Sequence, residues 1–188
     1  MVRRVAGLLT NPAHEWQIIA REESDPGALY GSHIAWLAAI PALSMLTGLA
    51  VSGGRYLGAA GISTAVTAAM VSYAMALFTP FAFAIALASF APKFKSDGSM
   101  ADALKLAAYA LTPIWLAGVF YAFVALSRLA VVGALYALYL FFIGLSPVMG
   151  TPLDQRVPFT LVAVITMLVL NIALSWIIGV VQLPYYGF

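Results

Sequence analysis

Residues 62–91 constrain the fold most, because they form an apolar stretch of thirty residues without one Asp, Glu, Lys, Arg or His. As a helix at about 1.5 Å per residue this stretch would be roughly 45 Å long, whereas the hydrocarbon core of a bilayer is about 30 Å thick. The stretch therefore predicts a membrane-spanning helix with length to spare. Thr79-Pro80 lies inside it, and we expect a kink or an interruption there.

Every fourth residue of this helix is small or lacks bulk. The row consists of Thr64, Ala68, Ser72, Ala76, Pro80, Ala84 and Ala88. In lipid, such a row allows another backbone to approach closely. We predict that the row, apart from Pro80, is a helix-packing face and that this helix is the central one of the molecule. A pore or ligand groove along the same row is the less favoured interpretation.

The composition places the whole chain in a membrane. Of its 188 residues, 63% are hydrophobic and 9% are charged, whereas about a quarter of the residues of a soluble domain are charged. This length has room for one membrane domain and for no separate soluble enzyme domain. Cysteine is absent, which excludes disulfides, thiolate metal sites and a catalytic cysteine.

Five spans follow from the pattern of apolar and charged segments, so the predicted fold is an all-α bundle of five transmembrane helices. Residues 103–146 would form a helix of roughly 66 Å, too long for one crossing, and Arg128 marks the turn that divides them. The predicted membrane domain covers residues 30–188. Its spans are residues 30–51, 62–91, 103–126, 129–146 and 159–183.

Residues 1–29 precede the membrane domain and predict an amphipathic helix. Asn11-Pro12 is a helix start, and Trp16 to Arg21 continues with one apolar side. The sequence allows two positions for this helix. We predict that it lies in the membrane interface. The alternative is that it docks on the cytoplasmic ends of the spans.

The basic residues choose an orientation. With the N-terminus in the cytoplasm and the C-terminus outside, seven basic residues are cytoplasmic and two, Arg55 and Arg128, are external. This bias agrees with the positive-inside rule. All seven carboxylates fall on the cytoplasmic side as well. The seven cytoplasmic basic residues are Arg3, Arg4, Arg21, Lys93, Lys95, Lys105 and Arg156.

Several short motifs stand out along the chain: Asn11-Pro12 with Trp16 and Ile19, Leu29-Tyr30-Gly31, Ala39-Ile40-Pro41, Ala108-Tyr109-Ala110-Leu111-Thr112-Pro113, and Leu135-Tyr136 to Gly144. Together they resemble the Yip-domain family, and within it the bacterial inner-membrane branch typified by YohC. The resemblance covers nearly the whole chain. It implies five spans, a cytoplasmic N-terminus and an external C-terminus, in the bacterial cytoplasmic membrane.

The resemblance also implies a class of function. The eukaryotic relatives act in vesicle traffic, bind Rab-type small GTPases through a long N-terminal region and associate with one another. Here that region has about 29 residues, and Ala28 replaces the acidic residue that often precedes Leu-Tyr-Gly. We therefore do not expect small-GTPase binding. Membrane lipids, further copies of the chain and other membrane proteins are the expected partners, and nucleic acid is not.

No catalytic or metal-binding constellation can be assembled. His14-Glu15 begins a zinc-protease pattern, but Ile18 stands where the second histidine would be. His33 lies at the mouth of the first span, where a lone histidine usually serves as a hydrogen-bonded polar residue. We predict that the protein is not an enzyme and needs no cofactor.

Two non-enzymatic functions remain. The first is a membrane-organising scaffold that acts by helix packing. The second is lipid translocation or a channel, with a groove between the second and third spans, bent at Thr79-Pro80 and Thr112-Pro113, and with Arg55 and Arg128 as lipid headgroup contacts. Asn171, the one amide deep in the last span, is the candidate polar interior residue, either bonded between helices or facing a ligand.

Overall fold

The computed structural model describes residues 1–51 and 58–182 and contains no β-strand in those residues. Five helical segments are long and apolar enough to cross a membrane. The protein is therefore an all-α, multi-pass membrane protein. These segments are Pro26–Gly48, Ala65–Phe94, Met100–Ala122, Ala125–Met149 and Leu153–Trp176.

Eight α-helices make up most of the described chain. They are α1 Val2–Thr10, α2 Pro12–Arg21, α3 Pro26–Leu29, α4 Ala35–Val51, α5 Gly58–Phe90, α6 Met100–Ala117, α7 Ala130–Met149 and α8 Arg156–Gln182. A π-helical turn, Tyr30–Ile34, joins α3 to α4. The first apolar segment thus begins at Pro26, before the predicted start at residue 30. Asp25 explains this start, because its side chain caps the helix that Pro26 opens.

Local sequence sets the other helix ends. Asn11 caps α2, where Pro12 occupies the first turn. Ser99 and Asp102 form a capping box at the start of α6. Gly150, with a φ of 67°, ends α7 in the left-handed conformation that glycine adopts without strain.

The central helix is α6, and the prediction that residues 62–91 would be central is wrong. In the most apolar 18-residue window of each span, 72% of the third is buried within the protein, against 28% of the second and 11% of the fifth. The third helix packs against α7, α5 and α4. Its polar residues explain the position, because Lys105 and Thr112 need protein partners that lipid cannot supply.

The long second span is one continuous helix, since α5 passes through Pro80 without interruption. Thr79 donates its hydroxyl proton to the Met75 carbonyl at 2.7 Å, which helps to satisfy the backbone beside the proline. In the predicted row, Ala84 is fully buried, and Ala76 and Ala88 pack against the core. Ala68 and Ser72 are half-buried, and the side chain of Thr64 lies outside the described part of the chain.

The turn between the third and fourth spans lies earlier than predicted. Helix α6 ends at Ala117 rather than at residue 126, and two short 3₁₀ helices, Gly118–Ala122 and Val124–Leu129, lead to α7. A Cβ at Gly118 would lie 2.5 Å from Pro41 Cγ. Only glycine fits this contact, and the 3₁₀ helix that begins at Gly118 therefore packs closely on α4.

Helices α1 and α2, with the linker to α3, form what we call the N-terminal layer, residues 2–25. Leu8, Trp16 and Ile19 of this layer are fully buried, and α2 packs on α7. The layer is thus docked on the bundle, which was one of the two positions considered for it. Its location relative to a membrane interface stays a prediction.

Candidate functional site

Ion pairs hold the N-terminal layer together. Arg4 pairs through Nη1 with Glu15 Oε1 at 2.5 Å and through Nη2 with Glu22. Burial lowers the pKa of the Arg4 guanidinium, but the two carboxylates outweigh burial and place this pKa above its usual range. Arg4 therefore stays charged and links α1 to both ends of α2.

Two side chains from the bundle bind the C-terminal carbonyls of the two layer helices. The Tyr136 hydroxyl of α7 donates to the Leu8 carbonyl at 2.9 Å. Lys105 Nζ of α6 donates to the carbonyls of Ile19 at 3.2 Å and Glu22 at 2.7 Å. The last carbonyls of a helix lack partners and carry partial negative charge, so a hydroxyl and an ammonium stabilise them.

Trp16 packs deepest of the layer residues. A Cβ at Gly144 would lie 2.8 Å from the Trp16 ring and 2.7 Å from Leu106 Cδ1, so only glycine leaves room for the indole. The Trp16 ring meets Tyr109 edge to face, with centroids 6.3 Å apart. Its Nε1 is buried and has no hydrogen-bond partner among the described residues.

Below Trp16 and Tyr109 lies His33, on the π-helical turn. The Ala35 N–H bonds the Tyr30 carbonyl five residues back. Turns of this kind frequently occur at functional sites. The Trp36 indole N–H donates a hydrogen bond to the Gly31 carbonyl of this turn at 3.1 Å. His33 is thereby placed on the inner side of the first span, where it is 2% exposed.

His33 is bound by α6. The Thr112 hydroxyl donates its one proton to the Ala108 carbonyl at 3.3 Å, so it accepts from His33 Nε2 at 2.9 Å. The Tyr109 ring covers the imidazole, with centroids 4.6 Å apart. Trp16, Tyr109, His33 and Thr112 thus form a continuous row from the layer into the bundle, which we call the polar row. All four are buried except Tyr109, which is half-buried.

Tyrosine hydroxyls join the first two spans. Tyr30 donates to the Leu77 carbonyl at 3.0 Å, and Tyr73 donates to the Ala35 carbonyl at 3.1 Å. Each of the two spans therefore donates one tyrosine hydrogen bond to a backbone carbonyl of the other. Such bonds suit lipid, where an unpaired hydroxyl has no water to bind.

A pocket of about 200 Å³ opens between the α2–α3 linker and α6. Glu22, Glu23 and Asp25 line one side, and Lys105 and Tyr109 line the other. Ser24 donates to Asp102 Oδ1 at 2.6 Å and so ties the linker to the start of α6. The pocket therefore belongs to the end of the bundle that carries the N-terminal layer.

A second polar cluster lies at the same end. The hydroxyls of Ser96 and Thr151 are 2.6 Å apart and buried, and they join the α5–α6 loop to the α7–α8 loop. Arg156 Nε donates to Ser146 Oγ at 2.5 Å, and the guanidinium lies 5.9 Å from the centre of the Phe142 ring. Both loops are thus fixed by side chains.

The predicted site residues divide into two groups. The motif residues Tyr109, Thr112, Tyr136 and Gly144 converge on the polar row or on the layer above it, and Pro113 follows Thr112 in α6. Leu29 is buried at the end of α3, while Tyr30 and Gly31 belong to the π-helical turn. The structure therefore brings together residues that are far apart in the sequence.

The other predicted contacts lie apart. Arg55 falls outside the described residues, and Arg128 is exposed at the opposite end of the bundle. Asn171 lies on the exposed side of α8 and donates to the Met167 carbonyl at 2.8 Å, instead of occupying the predicted interior position. A carbonyl of its own helix satisfies the amide, so no second helix is needed.

Two important residues were not singled out from the sequence, Arg4 and Lys105. Both were counted only as cytoplasmic charges. Lys105 lies one turn after the Ser99 and Asp102 capping box, within the predicted third span. Nothing in the sequence indicates that the acceptors of Lys105 are the carbonyls of α2.

Comparisons with known proteins give one match. A family model of the Yip1 domain matches residues 6–177. No curated protein and no solved structure matches the chain. Within residues 1–51 and 58–182, no group of three or more His, Cys, Asp or Glu side chains is placed to hold a metal ion.

Proposed function

Because the chain belongs to the Yip1 domain family, we propose that it is a non-enzymatic, membrane-organising scaffold. The observation that supports this proposal most is that the inner polar side chains are hydrogen-bonded to other parts of the protein. Lys105 and Tyr136 bind carbonyls of the layer, and His33 binds Thr112. Groups that are bonded to other parts of the protein in this way support a packing role rather than a substrate site.

We place the protein in the bacterial cytoplasmic membrane, within the YohC-like branch, with the N-terminus in the cytoplasm. The support is the resemblance together with the distribution of seven basic residues against two. The absence of cysteine allows a clean test. Asp154 is exposed at the end of the bundle that carries the N-terminal layer. A cysteine introduced there by Asp154→Cys should be protected from an impermeant thiol reagent in intact cells. Ser127→Cys should react, and the reverse result would invert the orientation.

The packing surface that we propose for a second copy is the half-buried part of the small-residue row, at Ala68 and Ser72. Ala76, Ala84 and Ala88 are occupied by the protein's own core. A row that continues beyond that core leaves small side chains for another helix, and close approach then adds packing and hydrogen bonds.

Energy transfer between labelled copies tests this surface. Two dyes attached through Asp154→Cys should show transfer in liposomes above the value for random mixing. Ala68→Leu should reduce it, because the longer side chain separates the backbones. Ala74→Leu, on an exposed position of the same helix, is the matched control and should leave transfer unchanged. Transfer at the random value for the native chain would overturn self-association.

Lipid translocation is the second candidate, favoured by the paired Thr-Pro sites in two neighbouring spans. Pro80 and Pro113 each remove one helix bond, and α5 packs on α6. The pocket, however, extends on α6 only from Ala101 to Tyr109. Lipid and ion flux in liposomes separates the candidates. Flux that falls in a chain carrying Arg55→Ala and Arg128→Ala would support translocation, and no flux in folded protein would support the scaffold.

A further inference from the structure

We propose that the N-terminal layer, residues 2–25, is a detachable unit with two positions. In one it is docked on the bundle, as described above. In the other position the layer is released onto the membrane surface, and its release uncovers Lys105 and Tyr109. The two positions that the sequence left open for this segment are then two states of one protein.

The ion pairs of the layer are internal to it. Arg4, Glu15 and Glu22 all belong to residues 2–25, so these pairs travel with the layer and are not broken by its release. The polar ties to the bundle are of another kind. They include hydrogen bonds from Tyr136 and Lys105 to layer carbonyls, one from Ser24 to Asp102, and a contact of the Arg4 guanidinium with the Tyr109 hydroxyl of α6.

The N–H group of Trp16 opposes the docked position, whereas burial of its ring favours that position. Its Nε1–H is fully buried without a partner in the described part of the protein. A buried donor that is left unpaired opposes the state that buries it. Indole rings prefer the interface between membrane and water, where the N–H finds an acceptor. Release therefore gains a hydrogen bond that docking denies.

The layer also has the surface that a membrane-bound helix requires. Leu8, Trp16 and Ile19 form an apolar side, and the charged residues near its ends are the basic Arg3 and Arg21 and the acidic Glu22, Glu23 and Asp25, so that the layer has no excess of positive charge. Apolar side chains inserted at the headgroup boundary, with the charged side chains in water, are the usual arrangement of such helices. Release would thus move the apolar side from the bundle into the bilayer rather than into water.

Spin labels at Gln17→Cys and Asp154→Cys report the two positions as two distances, since both sites are exposed. In phosphatidylcholine bilayers the docked distance should dominate. Adding phosphatidylglycerol should change the released fraction little, because Glu22, Glu23 and Asp25 offset the attraction of its headgroups for Arg3 and Arg21.

Variants at the ties should shift the ratio of released to docked protein. Tyr136→Phe should raise it about fivefold, because one hydrogen bond to the layer is lost. Lys105→Met should raise it tenfold or more, since its bonds are charge-assisted. Tyr139→Phe, an exposed tyrosine of the same helix, is the matched control and should leave the ratio unchanged.

A single distance in both bilayers, unchanged by Tyr136→Phe, would overturn the proposal and show that the layer is a fixed part of the bundle. Equal changes of the released-to-docked ratio for Tyr136→Phe and Tyr139→Phe would overturn the role of the Tyr136 hydrogen bond in holding the layer. If the Lys105→Met protein fails to fold, Tyr136→Phe still tests the proposal.

Discussion

The two ends of the bundle are held by different means. At the end with the N-terminal layer, side chains bind helix carbonyls and loop hydroxyls, as Lys105 and Tyr136 do for α2 and α1. At the opposite end, the 3₁₀ turns of residues 118–129 pack close to α4 at Gly118 and expose apolar side chains such as Phe123. Within the described residues, side-chain bonds to helix carbonyls distinguish the end with the layer, and the close contact at Gly118 is a feature of the other end.

This difference teaches where specific chemistry is required in a membrane protein. Lipid can accept any apolar side chain, so the outer surface and the exposed turn constrain the sequence little. A helix end buried against the bundle has unpaired carbonyls that lipid cannot satisfy. The residues that satisfy them must therefore be at defined positions, and substitutions there should have the larger effects.

The largest expected effect is that of Trp16→Ala. Removing a fully buried indole is expected to weaken docking of the N-terminal layer by about 3–5 kcal/mol, which is a factor of roughly a hundred or more. The measurement is the rate at which a Glu-specific protease cuts the linker at Glu22 and Glu23, with helix content followed by circular dichroism.

Trp36→Ala is the matched control for this change. Trp36 is 66% exposed and lies on α4, so its loss should alter the cleavage rate little. Equal rates for the two variants would show that the end with the layer is no more specified than the lipid-facing surface.

Gly144→Ala is expected to have the next largest effect. Its methyl group would lie under 3 Å from Trp16 and Leu106, and overpacking of this kind costs about 1–3 kcal/mol. The same protease assay should show faster cleavage of the linker. Gly31→Ala is the control, because a Cβ there meets nothing within 4 Å. A harmless Gly144→Ala would mean that the indole is not held against α7.

Thr112→Val tests the inner part of the same end. The change leaves the buried His33 Nε2–H without its acceptor, which should lower the free energy of unfolding by about 1–2 kcal/mol. Thr79→Val is the control, since the Thr79 hydroxyl bonds a carbonyl of its own helix. Reversible unfolding in bicelles measures both. Equal losses would assign the effect to the Thr-Pro geometry and not to the histidine contact.

Much of the fold could be predicted from the sequence, because the signals are local. Asn11-Pro12 marks the start of α2. Apolar length defines the five spans. The choice of the central helix failed for a physical reason. Apolarity measures preference for lipid, and the most apolar span is the least buried one. The span with Lys105 and Thr112 is central because those groups need protein partners.

The candidate site could be predicted only in part. The motif residues Tyr109, Thr112 and Gly144 were noted, but their meeting with Trp16 depends on how the layer docks. Docking joins residues 78 or more positions apart, such as Ser24 and Asp102. No periodicity within one helix encodes such a contact.

The smallest expected effect is that of Arg128→Ala, at the opposite end. Arg128 is exposed, so its removal should change the free energy of unfolding by less than about 0.5 kcal/mol. Arg156→Ala should cost about 1 kcal/mol, because it removes the bond to Ser146 and the contact with the Phe142 ring. Unfolding in zwitterionic bicelles compares the two arginines. A larger loss for Arg128 would show that the opposite end also depends on a specific polar contact, and the contrast between the two ends would then fail.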